Sequence, residues 1–101
     1  MNSNESKIYG NEELVDILDS ELVPLVQTTY KKLLTTLDRS LPLEKANSFL
    51  RRVCKRIASL NEKYEKLFEA KNYSDALHTM HEMQTTAEGG LRVAQEVLSR
   101  N

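Results

Sequence analysis

The sequence predicts an all-α protein, an antiparallel bundle of three to four helices with one long central helix. Three observations predict it. First, Leu43, Ala46, Leu50, Val53, Ile57, Leu60, Tyr64 and Leu67 recur at intervals of 3, 4, 3, 4, 3, 4, 3, the heptad stripe of a long helix. Second, no Gly or Pro interrupts Lys45 to Ala70. Third, burying one stripe does not offset the entropy of ordering so long a backbone, so the seam needs neighbouring helices to cover it. Phe49, Cys54 and Phe68 flank the stripe and widen it, which favours a bundle over a two-stranded zipper.

Residues 1–10 are polar and aperiodic and end in Gly10, which reads as a disordered tail. A single bundle domain is expected over 11–101. Asn11 followed by Glu12 and Glu13 is a helix-start signature, after which Leu14, Val15, Leu18 and Leu22 share a face. Pro24 removes a backbone donor and pushes Val23 from helical geometry, so a break or sharp kink is expected at Val23–Pro24. The stripe then resumes with Leu25, Val26, Tyr30, Leu33, Leu34 and Leu37.

The short connection Asp38–Pro42 places this helix antiparallel to the long one. Pro42 suits a first helical turn, and Glu44 complements the positive end of the dipole. Lys71 and Asn72 mark the next turn, with Asn72 as N-cap and Asp75 at the capping-box position. Tyr73, Ala76, Met80, Met83 and Ala87 carry a returning helix. Gly89-Gly90 either ends that helix or loosens a continuous one. Leu91, Ala94 and Leu98, with Val97 beside them, form the last amphipathic segment.

Composition narrows the class without naming an activity. At 101 residues the chain is long enough for one modest core. It has no apolar run of transmembrane length, and its start lacks the plan of a secretory signal or transit peptide. The single cysteine fits a reducing compartment, so the cytoplasm or nucleus is expected. Net charge is −1, but the charges segregate. Residues 1–22 hold six acids against Lys7, whereas 23–61 hold eight bases against Asp38 and Glu44.

Candidate chemistry is thin. His78 and His81 lie three apart on one helix, with Glu82 a turn beyond His78 and Cys54 as a conceivable fourth ligand. A zinc signature needs a second ligand pair, so no metal site and no cofactor are expected. Cys54 with a histidine lacks an orienting third group and an oxyanion loop, so it reads as a small residue at the core edge. The pairs Glu12/Glu13 and Asp16/Asp19 belong to an acidic helix start. No catalytic residue is assigned, and an enzyme is not expected.

The basic run carries more. Lys45 to Asn61 holds five positive residues and no acid, and Arg51, Arg52, Lys55 and Arg56 fall off the heptad seam as one exposed face. Three readings stand: a solvated face, a docking surface for an acidic partner or the chain's own acidic first helix, or contact with RNA or anionic lipid. Nucleic-acid modules interleave aromatic residues with the bases, and Phe49 reads instead as core. Tyr30, Tyr64, Tyr73, Met80 and Met83, at helical spacing, also read as core.

The order of features, closing in the helix opening Asn72-Tyr73-Ser74-Asp75-Ala76-Leu77 with His78 next to it, resembles the C-terminal helical domain shared by the outer COPII coat rod protein and the steroid receptor RNA activator protein. The resemblance covers about residues 22–98. An aromatic-x-x-Ala-Leu opening also begins helices in tetratricopeptide and microtubule-interacting-and-trafficking domains. The family's Trp-containing last-helix signature has no counterpart in Leu91-Arg92-Val93-Ala94-Gln95-Glu96-Val97-Leu98. The resemblance implies a non-enzymatic adaptor bundle in coat assembly or gene-regulatory complexes, and no site residues carry over. The expectation is therefore a protein–protein interaction module, a small adaptor or subunit of a larger complex, that uses Arg51, Arg52, Lys55 and Arg56. An RNA- or anionic-lipid-contacting protein is the alternative, and a homodimer sharing the stripe stays open.

Overall fold

Helix α1 (Asn11–Ile17) runs through a π-helical turn (Leu18–Leu22) into α2 (Val23–Asp38), and α3 (Glu44–Glu69) and α4 (Tyr73–Ser99) follow. This is a computed structural model, and it describes residues 10–38 and 43–99. The expected disordered tail lies outside the described residues but for Gly10, as does Pro42 with most of its connection. The described residues are all-α and contain no strand. None of their helices is long and apolar enough to cross a membrane.

The chain does not break at Val23–Pro24. Ile17, Leu18 and Val23 all have helical angles, Val23 at φ −60° and ψ −47°. The expectation of a break failed because the helix widens one turn before the proline. In a regular α-helix the Pro24 ring would collide with the carbonyl of Ser20, and that carbonyl would lose its partner. A π turn over Leu18–Leu22, in which the Val23 N–H donates to the Leu18 carbonyl, widens the helix where these conflicts would fall. It also corrects the stripe. Leu14, Leu18, Leu22 and Val26 are buried at a strict spacing of four, which in a plain α-helix would drift about 40° per step. The extra residue in the wide turn keeps them aimed at the core.

The α3 seam is buried from Ala46 through Leu50, Val53 and Ile57 to Leu60, and Tyr64 and Leu67 are half-buried. Leu43 departs from the expected stripe. It is the extended residue before Glu44 (φ −118°, ψ 116°) and is 53 % exposed. At its other end α3 closes with Lys71 in the left-handed region at φ 61°. The Lys71 N–H donates to the Phe68 carbonyl (3.0 Å) and the Asn72 N–H to the Leu67 carbonyl (2.9 Å), the paired closure of a Schellman turn. Asn72 then caps α4 as expected. Its Oδ1 accepts from the Asp75 N–H at 3.4 Å, and its Nδ2 donates to Asp75 Oδ2 at 2.9 Å. Phe68 stacks edge-on against Tyr73 (5.1 Å) and lies 5.7 Å from Tyr64, so aromatic contacts lock the corner.

Helix α4, rather than α3, is packed closely from both sides. It runs antiparallel to α3 across the Lys71 turn. The α1–α2 run lies parallel to it, with Val15 and Asp19 near Tyr73 and Thr35 and Thr36 near Leu91 and Leu98. The residues α4 buries are mostly small or flexible: Ala76, Thr79, Met80, Met83, Gln84, Ala87, Gly90 and Ala94. Small side chains let neighbouring backbones come near. At Gly90 a methyl group would sit 3.0 Å from Val53 Cγ1 and 3.5 Å from Leu33 Cδ1 and Leu50 Cδ2. Gly90 is therefore a seam residue, and α4 passes through Gly89-Gly90 without ending. The core includes a polar contact between helices. Gln84 Nε2 donates to Thr29 Oγ1 at 3.2 Å, and Thr29 Oγ1 donates to the Leu25 carbonyl at 3.0 Å. Gln84 Oε1 is buried without a hydrogen-bond partner, a loss of about 1–3 kcal/mol.

Candidate interaction surface

Because the α3 seam takes positions 50, 53 and 57, the intervening Arg51, Arg52, Lys55 and Arg56 must point outward, and all four are exposed. At about 100° per residue they span an arc of about 140° opposite the seam, in two adjacent rows, Arg52 with Arg56 toward α4 and Arg51 with Lys55 away from it. Arg52 and Arg56 border a surface groove between α3 and α4, together with Phe49, Val53, Thr85 and Gly89. Phe49 is not the core residue that its neighbourhood suggested. It is 37 % exposed, because it sits one step off the seam position Leu50. The result is a shallow apolar floor with guanidinium groups along its rim.

Arg56 is partly engaged. Its Nη2 lies 2.8 Å from Glu82 Oε2, with the two side chains 59 % and 50 % exposed. An ion pair so open to water contributes about 0–1 kcal/mol. It ties α3 to α4 loosely and leaves the Arg52 side of the rim for other contacts.

The chain's own acidic first helix does not cover these bases. Asn11, Glu12, Val15, Asp16 and Asp19 border a groove with Tyr73, at the start of α4, whereas Arg52 borders the groove at Gly89 and Arg56 pairs with Glu82. Gly89 is 16 residues beyond Tyr73 on α4 and Glu82 is nine, about 24 and 14 Å at the rise of an α-helix. The described part of the bundle is thus acidic at one end and basic toward the other.

The histidines and the cysteine are not brought together. His78 and His81 are exposed and border a groove with Arg56 and Glu82, on the α4 side of α3. Cys54 lies on the opposite flank, close enough to Tyr30 for its charge to be felt by the phenol. Burial pushes the Cys54 thiol up, which holds it in the less nucleophilic protonated form at neutral pH. Burial likewise raises the phenols of Tyr30 and Tyr64, with smaller contributions from Cys54 and Asp19 respectively. Among the described residues no three His, Cys, Asp or Glu side chains are grouped to hold a metal ion.

Sequence reasoning missed several members of the groove, Phe49 and Gly89 among them. For Phe49 the signal was its offset from the heptad. For Gly89 it was a second glycine in a helix that shows no stop signal until well beyond it. No protein-family model matches the chain, and no curated protein or solved structure matches it.

Proposed function

We propose that the chain is a non-enzymatic protein–protein interaction module, a small adaptor or subunit of a larger complex in the cytoplasm or nucleus. The observation that carries this reading is Phe49, a large aromatic side chain exposed beside Arg52 and Arg56. Aromatic and arginine side chains are the residues most enriched where protein interfaces concentrate their binding energy. The resemblance of residues 22–98 adds a context, coat assembly or gene regulation, for an adaptor built on a three- to four-helix bundle.

A second reading has its own observation. The stretch from Lys45 to Asn61 holds five bases and no acid, which suits RNA or an anionic lipid surface. Salt and charge reversal discriminate. The full chain, and a variant with Arg51, Arg52, Lys55 and Arg56 all changed to Glu, are recovered from their own cells with whatever binds them. The module reading expects wild type to retain a protein partner that resists nuclease and detergent. Retention of nucleic acid or lipid alone, released steeply by salt and absent from the variant, would overturn it in favour of the second reading.

A further inference from the structure

Gly89 has no role within the fold. It lies in the middle of a helix, is exposed, and lacks the positive φ that calls for glycine. A methyl group built on it would meet nothing within 4 Å. Glycine there weakens the helix relative to alanine without any return in packing. Its neighbour differs, since Gly90 admits Val53, Leu33 and Leu50. Bare backbone at Gly89 is useful to a molecule approaching from outside. It forms part of the floor of the same groove that Phe49 and Arg52 border.

We infer that this groove receives an acidic amphipathic helix of a partner protein, with a large apolar side chain over Gly89 beside Phe49 and carboxylates against Arg52. The inference rests on the interaction-module reading above and names the partner's chemistry. A helix is the fitting shape because the groove lies between two helices. Phe49 to Arg56 spans seven residues, two turns, which matches anchors at i and i+7. Charge selects the occupant. The groove's rim is guanidinium, and the α3 stretch it belongs to has no acid from Lys45 to Asn61. Phosphate is the poorer match. The floor is apolar, the α4 amides beneath it are used within the helix, and Phe49 offers a single stacking surface.

Gly89→Leu fills the groove in open space, and Arg52→Glu reverses its rim. The probe is a fluorescent peptide of about 18 residues, five helical turns, with leucines along one face and glutamates on its flanks. A counterpart carries lysines for the glutamates. Thermal melting verifies that each variant folds. The glutamate peptide is expected to bind wild type, to bind each variant at least about tenfold more weakly, and to outcompete the lysine peptide. No binding to wild type, or equal binding to Gly89→Leu, overturns the inference. So does tighter retention of single-stranded RNA or phosphatidylserine vesicles that Gly89→Leu abolishes, or a sedimenting dimer that Gly89→Leu dissociates. Recovery from cells separates the two levels of the argument. A protein partner kept by both wild type and Gly89→Leu sinks the groove and leaves the module reading standing; wild type without any protein partner sinks the module reading itself.

Discussion

Helices α3 and α4 are nearly equal in length and bury their seams in opposite ways. Helix α3 uses Leu50, Val53, Ile57 and Leu60, large side chains in a narrow stripe, and leaves its remaining surface charged. Helix α4 uses Ala76, Ala87, Gly90 and Ala94, with methionines between, and is buried over a wider arc. The large seam supplies most of the apolar surface on its side of the core. The small seam decides where the backbones meet. The more regular stripe therefore belongs to a supporting helix, and the less conspicuous one to the helix on which both neighbours close.

The comparison breaks most sharply at Leu50. It is fully buried and packs against the Gly90 position, so Leu50→Ala removes a side chain whose space the helices cannot easily reclaim. A loss of about 2–5 kcal/mol is expected in chemical denaturation; a cost below that range would mean the large seam is not closely packed. The two glycines sharpen the contrast. Gly90→Leu drives a side chain into Val53 and is expected to destabilise by about 1–3 kcal/mol. Gly89→Ala, one residue away, is expected to stabilise by up to about 1 kcal/mol. Equal effects at the two sites would refute the distinction between a packing glycine and a free one. The smallest effect is at the corner that sets the two helices side by side. Lys71 holds a left-handed conformation that glycine adopts without steric cost, and Lys71→Gly is expected to raise stability by roughly 0.5–1 kcal/mol in the same denaturation assay.

Much of this architecture was legible in the residue pattern, and the parts that were not have identifiable causes. The seam from Ala46 to Leu60 follows from heptad spacing alone, and the Asn72 cap follows from side-chain chemistry. Gly90 escaped because a stripe defined by apolar side chains cannot register a position whose merit is having none. Leu91 stands for the seam in the apolar pattern instead, though it is one residue out of phase with Met83, Ala87 and Ala94 and is only half-buried. Pro24 misled because its conflict with a helix is local, and the remedy lies two to six residues upstream where no proline signal points. Of the interaction surface, the exposure of all four bases followed from the pattern. Which of their two rows borders the groove did not, because it depends on which side α4 occupies.

The wide turn at Leu18–Leu22 has a consequence for how this chain tolerates change in length. It works as a phase corrector, with one surplus residue absorbed where the helix meets Pro24. Losing a single residue there would restore an ordinary helical pitch and leave the stretches on either side in the register they now hold, because a regular helix one residue shorter makes the same number of turns. A residue lost between Leu14 and Leu18, with the wide turn kept, would instead swing Leu14 by about 100° away from the core it is buried against. The surplus residue is what lets two stretches with different sequence rhythms share one straight-through helix.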